Sequence, residues 1–406
     1  MEALRERLRA VPGMERLLPL LEALPPVHLA GGAVRDLLLD QQAVDLDLAI
    51  EGDAVGAAQE LADQLGGRSV RHERFGTATV TAGDGFSFDL AATREETYPE
   101  PGALPRVRPA SLEADLARRD FAINAMAIGL SGDDLGHLRD PLGGRDDLQA
   151  GALRVLHEGS FLDDPTRILR AARYEARLGF SLDGDSEALA REAVKGDAIA
   201  TVSTERLAHE LLRLLAETEA GRAVDRLGDL GVDVALHPEL HAEGELVAAA
   251  ELGALETGAD RALAGLAALA VRSPSRLSDW IGTLGLDASR REAAARAART
   301  APLLAAELAR PMRPSELRAL LRREPPEALA LALGLGAPAE PVLSWVGDLQ
   351  HARLAISGND LIEAGVAPGP AVGAALEETL RRTLDGDVGG RDEQLELALR
   401  VAREGS

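Results

Sequence analysis

Apolar residues at helical spacing open the chain and return to dominate its second half. Over residues 2–23 they recur at roughly helical intervals, at Leu4, Leu8, Val11, Leu17 and Leu21. This spacing predicts a single amphipathic helix at the start of the chain. From about residue 160 onward the sequence is rich in Ala and Leu at helical spacing, with short Gly and Pro breaks. The second half is therefore predicted to be helical.

Between residues 25 and 140 the pattern is mixed. The segment VHLAGG predicts a strand that runs into a glycine turn, AVRDLLL predicts a short helix, and VDLDLAI predicts a strand of alternating polar and apolar residues. Residues 54–65 have helical spacing, and residues 67–94 carry two or three strands with Asp84-Gly85 as a turn signal. This part of the chain is predicted to be α/β or α+β.

The amino-acid composition and the net charge exclude several kinds of site and function. The chain has 406 residues, a formal net charge of −23 and no cysteine, which excludes disulfides and thiolate zinc sites. Such acidity argues against a general nucleic-acid coat, although an acidic enzyme can bind RNA through a local basic face. We find no signal-peptide pattern and no apolar segment long enough to cross a membrane. We therefore expect a soluble, cytoplasmic protein without a membrane partner.

Two aspartates on a predicted strand are candidate metal ligands. Asp45 and Asp47 lie two residues apart, so a strand points both carboxylates to one face. Converging carboxylates suit Mg²⁺, and two such ions about 3.5–4 Å apart can activate a hydroxyl and stabilise a pyrophosphate leaving group. Asp89, on the later strand FSFDLA, is the candidate third carboxylate. Taken alone, the pair is also typical of a solvated edge strand.

A glycine turn precedes this pair. In GGAVRD, Gly31 and Gly32 allow the main chain to approach a phosphate closely, and Arg35 can add bidentate contacts to a triphosphate. A lone Gly-Gly is usually an ordinary strand–turn–helix connection. A phosphate cradle followed so closely by a metal pair predicts phosphoryl or nucleotidyl transfer.

The ordered motifs resemble those of a known family. GGAVRD followed by DLD is similar to the nucleotidyltransferase head of the DNA polymerase beta superfamily, and most similar to class II CCA-adding tRNA nucleotidyltransferases and bacterial poly(A) polymerases. Further blocks follow in that family's order: DLARRDFAINAMAI at 115–128, DPLGGRDDLQAGALRVL at 140–156, FLDDPTRILRAARYEARLGF at 161–180, STERLAHELLRLL at 203–215 and, more weakly, ISGNDLIEAGVAPGPAVGAALEETL from residue 356.

The resemblance implies both the fold and the activity. The implied fold is α+β, with a polymerase-beta-like nucleotidyltransferase head around a small mixed β-sheet in residues 1–150. A nucleotide-selecting and RNA-binding helical neck (151–225) and a helical body and tail that bind tRNA (226–406) follow. The implied reaction adds CMP, CMP and AMP to the 3′ end of tRNA from CTP and ATP. It uses two Mg²⁺ ions, no nucleic-acid template and no DNA, and it releases pyrophosphate.

The RRDF block has an implied role in binding the nucleotide. By resemblance, Arg119 and Asp120 contact the sugar or the phosphates of the nucleotide. Asp120 and Asn124 are four residues apart, which puts them on one face of a predicted helix. An exposed helix with ordinary charges is the alternative interpretation of the same residues.

The block at 163–177 is predicted to select the base. Arg167, Arg170, Arg173 and Arg177 form one stripe on a helix. Asp163 or Asp164 can cap this helix, or Asp164 can instead accept from an exocyclic amine while Arg167 donates to a ring nitrogen. Cytosine and adenine both present donor then acceptor, whereas uracil and guanine present the reverse. Asp164 and Arg167 are thus the predicted template for CTP and ATP, and Arg170 and Arg173 can reach the triphosphate or hold that template.

Several alternatives stay open. The segment around 93–115, rich in Pro and Gly, is predicted to be a loop, either a plain surface loop or, with Arg94, part of the machinery that switches from adding C to adding A. The chain is a full CCA-adding enzyme or a partial CC-adding or A-adding one. A poly(A) polymerase fits less well because those usually carry a long basic C-terminal extension. A non-catalytic RNA-binding relative would not need the paired carboxylates.

Overall fold

The computed structural model describes residues 2–41, 46–72 and 76–404. The predicted metal ligand Asp45 lies outside these residues. The described chain divides into two compact units: one contains the residues up to 210 together with 226–236, and the other contains 211–225 and the residues from 237 onward. The separation into parts at residues 150 and 225 stays a prediction.

The first unit is built on a mixed seven-stranded sheet. Its strand order is β3-β4-β5-β2-β1-β8-β9, and two smaller two-stranded sheets, β6-β7 and β10-β11, lie outside it. The strands are β1 (Val27–Ala30), β2 (Asp47–Ile50), β3 (Arg68–His72), β4 (Thr77–Thr81), β5 (Ser87–Ala92), β6 (Arg94–Thr97), β7 (Arg106–Pro109), β8 (Ala127–Gly129), β9 (Leu138–Arg139), β10 (Ala152–Leu153) and β11 (Ser181–Leu182). The predicted α+β head is therefore confirmed.

Strand pairing in the large sheet fixes which residues face each other. Strand β1 runs antiparallel to both β2 and β8, whereas β2 and β5 are parallel. All four residues of β1 are buried, as expected for a central strand. The parallel β2–β5 pair sets Asp47 directly beside Asp89.

The first ten described helices lie in the first unit or begin there. They are α1 (Glu2–Ala10), α2 (Met14–Leu21), α3 (Gly32–Leu38), α4 (Ala54–Gln64), α5 (Leu112–Ala117), α6 (Gly144–Ala150), α7 (Ser160–Asp163), α8 (Thr166–Leu178), α9 (Gly184–Lys195) and α10 (Thr204–Ala216). Helix α4 begins at an N-cap, where the Asp53 carboxylate accepts from the main-chain N–H groups of Val55 and Gly56.

The single helix predicted over residues 2–23 is wrong in one respect, because the chain forms two helices there. The break falls at Gly13, whose φ of 83° lies in the left-handed region. A Cβ atom at this position would overlap the ring of Phe86. Helical spacing persists across the break, since Leu8, Met14 and Leu17 are all fully buried.

The second unit is helical in all of its described secondary structure except one short 3-10 turn. Two of the remaining helices fall at the unit boundaries: α11 (Ala220–Asp229) begins in the second unit and ends in the first, and α12 (Val232–Leu236) belongs to the first. The helices that lie wholly in the second unit are α13 (Gly244–Thr257), α14 (Arg261–Ala270), α15 (Pro274–Thr283), α16 (Ala288–Leu308), α17 (Pro314–Leu321), α18 (Pro326–Gly334), α19 (Ala339–Gly347), α20 (Gly358–Glu363), α21 (Pro370–Leu384) and α22 (Arg391–Glu404). Close packing uses small residues, because a Cβ at Gly253 of α13 would overlap the main chain at Ala330 of α18. Within the described chain, none of the helices combines the length and apolar character that a membrane span needs.

Candidate active site

The glycine turn between β1 and α3 lies directly against an arginine. Gly31 has φ 75° and ψ −136°, a conformation that residues with a side chain rarely adopt. A Cβ atom built on Gly31 would lie 2.5 Å from Nη1 of Arg119. The structure thus brings the glycines predicted to approach a phosphate next to a guanidinium that can bind one.

Asp47 and Asp89 are neighbours on adjacent parallel strands. Their Cα atoms are direct partners in the register of β2 and β5, so both carboxylates project from the same face of the sheet. Both residues are exposed, and Oδ1 of Asp89 accepts a hydrogen bond of 2.5 Å from Oγ1 of Thr79. The structure therefore places the predicted third carboxylate beside one member of the predicted pair.

These two carboxylates suit a hard divalent cation. Mg²⁺ prefers oxygen ligands and is usually held by one or two carboxylates, with substrate phosphates and water completing its shell. Within residues 2–41, 46–72 and 76–404 no group of three or more histidine, aspartate or glutamate side chains is arranged to hold a metal ion. The remaining predicted ligand, Asp45, lies outside those residues, so the described part of the candidate metal site consists of Asp47 and Asp89.

Asp120 is the hub of a buried hydrogen-bond network. Its Oδ1 accepts from Nδ2 of Asn124 at 3.0 Å and from the main-chain N–H of Phe121 at 2.9 Å. Its Oδ2 accepts from Nε and Nη2 of Arg170 at 2.9 and 2.6 Å. The prediction that Asp120 and Asn124 share a helix face is wrong in its geometry, because Phe121 is extended and only a 3-10 turn (Ala122–Asn124) follows. That turn nevertheless folds Asn124 back onto Asp120.

Asp120 and Arg170 hold each other in the charged state. Burial alone would raise the pKa of Asp120, but the charge of Arg170 and the hydrogen bonds that Asp120 accepts outweigh burial and hold this pKa well below its usual range. Burial would lower the pKa of Arg170, and the neighbouring Asp120, Tyr174 and Glu210 instead raise it. An aspartate with so low a pKa is suited to fixing geometry and not to exchanging protons near neutral pH.

Arg35 extends this network into the interior. Its guanidinium is 3% exposed; Nη1 donates to Oδ1 of Asn124 at 2.8 Å, and Nε and Nη2 donate to Oδ1 of Asp36 at 2.8 and 2.7 Å. Direct contact of Arg35 with a triphosphate stays a prediction, since its donors are engaged by protein groups in this structure. The observed contacts hold Asn124, and through it Asp120, in place.

The predicted arginine stripe lies on α8, and part of it points inward. The guanidinium carbons of Arg35, Arg170 and Arg173 lie 5.2, 5.6 and 5.0 Å from the centre of the Tyr174 ring. Arg173 is buried and lies 3.6 Å from Glu210, and Nη2 of Arg170 donates to the Tyr174 hydroxyl at 3.1 Å. These arginines are therefore anchored around one aromatic ring, and the role of Arg170 and Arg173 in reaching the triphosphate or holding the base-selecting residues stays a prediction.

Two further carboxylates, missed by the sequence analysis, organise the arginines of the RRDF block. Asp115 accepts from Arg118 at 2.8 Å and from Arg119 at 3.0 Å. Burial would raise the pKa of Asp115, but the charges of Arg118 and Arg119 and their hydrogen bonds lower it below its usual value. Glu96 pairs with Arg94 at 3.0 Å and with Arg118 at 2.8 Å. The guanidinium of Arg119 is thus held in position beside the glycine turn.

Asp164 and Arg167 lie at the start of α8 and have different partners. Oδ1 of Asp164 accepts from the main-chain N–H of Thr166 at 3.1 Å, although the residue at the N-cap position of α8 is Pro165. Arg167 is 5% exposed and donates to Oγ of Ser160 at 2.6 Å and to the main-chain oxygen of Arg118 at 2.8 Å. The two side chains are not hydrogen-bonded to each other, and their action as a template stays a prediction.

The segment predicted as a loop around 93–115 contains regular structure. Strands β6 and β7 pair antiparallel from Arg94 opposite Pro109 to Thr97 opposite Arg106, and helix α5 follows. Near the tip, the hydroxyl of Tyr98 donates to Oε2 of Glu96 at 3.0 Å, and burial together with the Glu96 charge raises the pKa of Tyr98 to about 12. The prolines and the glycine mark the tip, whereas the alternating REET and RVRP segments form the strands.

The functional residues that sequence reasoning missed differ in whether the sequence carries a local signal for them. Asp115 stands three and four residues before Arg118 and Arg119 on or next to a short helix, a spacing that predicts side-chain pairing. Arg206 binds Asp164 at 2.8 Å across a large sequence separation. No local pattern in the sequence reports such a long-range contact.

Two models of known protein families match parts of the chain. Residues 27–154 match the model of the poly A polymerase head domain, and residues 179–243 match the model described as a probable RNA and SrmB-binding site of polymerase A. The first match contains the glycine turn, both described carboxylates and the Asp120 hub.

Relatives and solved structures extend the similarity. The A-adding tRNA nucleotidyltransferase of Geobacter sulfurreducens is 34% identical over 93% of this chain, which spans only 45% of that longer protein. The CC-adding tRNA nucleotidyltransferase of Deinococcus radiodurans is 36% identical over 90% of this chain and 87% of its own length. The Thermotoga maritima CCA-adding enzyme in complex with tRNA has a TM-score of 0.77 at 30% identity, covering 98% of this chain and 97% of that one.

Proposed function

Because the chain belongs to the tRNA nucleotidyltransferase family, we propose that it transfers nucleotides from nucleoside triphosphates to the 3′ end of tRNA. The observation that carries this proposal is the adjacency of Asp47 and Asp89 on one face of the sheet, in the same unit as the Gly31 turn and Arg119. Nucleotidyl transfer uses carboxylates that can hold Mg²⁺ together with groups that bind the triphosphate.

The nucleotides added are proposed to be CMP, CMP and AMP. Relatives named as CC-adding, A-adding and CCA-adding enzymes all resemble this chain, so family membership alone leaves the three options open. An acceptor oxygen of Asp164 beside a donor such as Arg167 matches the order of groups on both cytosine and adenine. The same arrangement mismatches uracil and guanine, and buried mismatches discriminate strongly.

The proposed metal ligands are Asp45, Asp47 and Asp89. Mg²⁺ bound there would lower the pKa of the tRNA 3′-hydroxyl and neutralise charge that develops on the triphosphate. We expect two ions, as in other two-metal sites. The hydrogen bond from Thr79 to Asp89 fixes that carboxylate, which favours a defined ligand position.

The protein groups position the two reactants. The 3′-hydroxyl of tRNA attacks the α-phosphate of the bound nucleotide in line, and pyrophosphate leaves. The main chain at Gly31 and Gly32 approaches the phosphates while Arg119, held by Asp115, donates to them. Asp120 and Asn124, held by Arg170 and Arg35, are proposed to contact the sugar. Such positioning supplies much of the rate in phosphoryl transfer.

Extension of defined transcripts tests the proposed function. Three tRNA transcripts ending before CCA, after the first C and after CC are incubated with each of the four nucleoside triphosphates and Mg²⁺, and a transcript with complete CCA serves as the control. Sequential addition of C, C and A is the expected result. Addition of C alone or A alone would replace the full enzyme with a partial one, and no addition to any transcript would contradict the proposed activity.

A further inference from the structure

An arginine that the proposed mechanism does not use joins the base-selecting aspartate to the tip of the β6–β7 hairpin. Arg206, on α10, donates from Nη2 to Oδ1 of Asp164 at 2.8 Å. From Nη1 it donates to the main-chain oxygen of Gly102 at 2.7 Å. One planar guanidinium thus binds two segments that are far apart in the sequence, a geometry that arginine provides and lysine does not.

The hairpin tip is fixed at the same point by two other contacts. The main-chain N–H of Gly102 donates to the main-chain oxygen of Leu162 at 3.0 Å. Gly102 has a φ of 70°, and a Cβ atom there would overlap the hydroxyl and the main chain of Thr201. The tip is therefore pressed closely onto the segment that leads to Asp164, and Arg206 is the side chain that connects the two.

Only one oxygen of Asp164 is used by this network. Oδ1 accepts from the Thr166 main-chain N–H at 3.1 Å, from the Thr166 hydroxyl at 2.7 Å and from Arg206. In the described part of the chain Oδ2 accepts no hydrogen bond, and the Asp164 side chain is 21% exposed. A carboxylate held through one oxygen presents the other at a fixed position, as an acceptor for an exocyclic amine must be presented.

We propose that Arg206 is a positioning residue for base selection, which holds Oδ2 of Asp164 in place and ties that position to the hairpin tip. This inference rests on the proposed function, because it assigns Arg206 to the base choice of that reaction. Displacing the Gly102 main-chain oxygen would therefore move Arg206 and, through it, Asp164.

The solvent exposure of the Arg206–Asp164 pair distinguishes a role in base selection from a purely structural role. The Arg206 side chain is 26% exposed, so its contact with Asp164 is partly solvated and adds little to the stability of the fold. Base choice is far more sensitive, because misplacing a selecting group by about 1 Å can cost on the order of a hundredfold. Loss of Arg206 should therefore change selectivity much more than it changes thermal stability.

The test compares three arginine variants of the full chain. Arg206→Gln removes both the charge and the planar guanidinium with its two donor groups. Arg206→Lys keeps the charge but not the guanidinium, and Arg191→Gln is the matched control. Arg191 also binds a carboxylate and a main-chain oxygen, those of Glu187 and Asp229, away from Asp164. The readout is the ratio of kcat/KM for CTP over UTP and for ATP over GTP, on whichever transcript the wild-type chain extends, together with the Tm.

Arg206→Gln is expected to lower these ratios by about tenfold or more, Arg206→Lys to recover part of the loss, and Arg191→Gln to leave them unchanged. Wild-type ratios in Arg206→Gln, whatever its turnover, would overturn the proposal. Gly102→Ala provides a second test that leaves Arg206 intact and displaces the tip. It should lower both ratios as Arg206→Gln does, and unchanged ratios there would also overturn the proposal. If the wild-type chain extends no transcript, the proposed function fails and this inference fails with it.

Discussion

Replacing Asp120 with asparagine should destabilise the first unit by breaking its buried ion pair. The carboxylate is 10% exposed and accepts two hydrogen bonds from Arg170, at 2.9 and 2.6 Å. Breaking a buried pair from one side typically costs about 3–5 kcal/mol. Arg170 is 24% exposed and lies 3.4 Å from Glu210, so part of its charge stays compensated. We therefore expect a loss of about 2–3 kcal/mol in the free energy of unfolding.

Calorimetry and urea unfolding followed by circular dichroism measure this loss. A change of this size should lower the Tm of the first unit by about 4–12 °C. Both tryptophans, Trp280 and Trp345, lie in the second unit, so their fluorescence reports a reference transition that the substitution should affect less. The matched control is Asp63→Asn, which changes an exposed aspartate of α4 whose carboxylate accepts a hydrogen bond from the Gln59 side chain.

The pH dependence of the same variant gives an independent check. The pKa of Asp120 is lowered on folding, so its contribution to stability is present above the unfolded value of about 3.9 and is lost as the pH falls toward the folded value. The difference between wild type and Asp120→Asn should be constant from about pH 8 to pH 5 and should narrow below about pH 4. A difference no larger than that of Asp63→Asn at neutral pH would refute the reasoning.

Three further substitutions have defined expectations. Gly31→Ala should destabilise the chain by about 1–3 kcal/mol and weaken triphosphate binding, because it strains a positive φ and displaces Arg119. Thermal melts measure the stability and nucleotide titration measures the binding; an unchanged nucleotide affinity would contradict the assignment of Gly31 to phosphate binding. Asp89→Asn should lower kcat by about a hundredfold or more while the Tm changes little, since the side chain is exposed; near-normal turnover would remove Asp89 from the metal site. Asp164→Ala should relax base choice without weakening Mg²⁺ binding, and competition between CTP and UTP measures that choice. Unaltered selectivity would remove Asp164 from base recognition.

Much of the head could be predicted because its signals are local. The alternation in VDLDLAI and FSFDLA indicated strands, and those strands carry Asp47 and Asp89. The sequence could not show that the two strands are parallel neighbours, since pairing depends on contacts across the whole sheet. It also could not show that Arg35 points inward, because an arginine after a glycine turn is compatible with a surface or a buried position. The burial of Arg35 depends on Asp36 and on Asn124, which lies far along the chain.

Errors in local structure had little effect on the contacts that matter. Asp120 and Asn124 meet through a 3-10 turn and not through an α-helix, yet their spacing still brings the two side chains within 3.0 Å. The predicted loop around 93–115 contains a hairpin because β6 and β7 pair with each other. The Pro and Gly content of the segment does not predict this pairing. Arg206 was missed for a similar reason, as its partners Gly102 and Asp164 are both remote in sequence.

The most direct test of the account is single-turnover transfer of labelled nucleotide to tRNA by the wild-type chain and by Asp47→Asn, with Asp63→Asn as the control. Transfer by the wild type and the control, with a loss of about a thousandfold or more in Asp47→Asn and no matching fall in Tm, is the predicted result. Transfer by Asp47→Asn at a rate near that of the wild type would contradict the assignment of this carboxylate to the reaction centre.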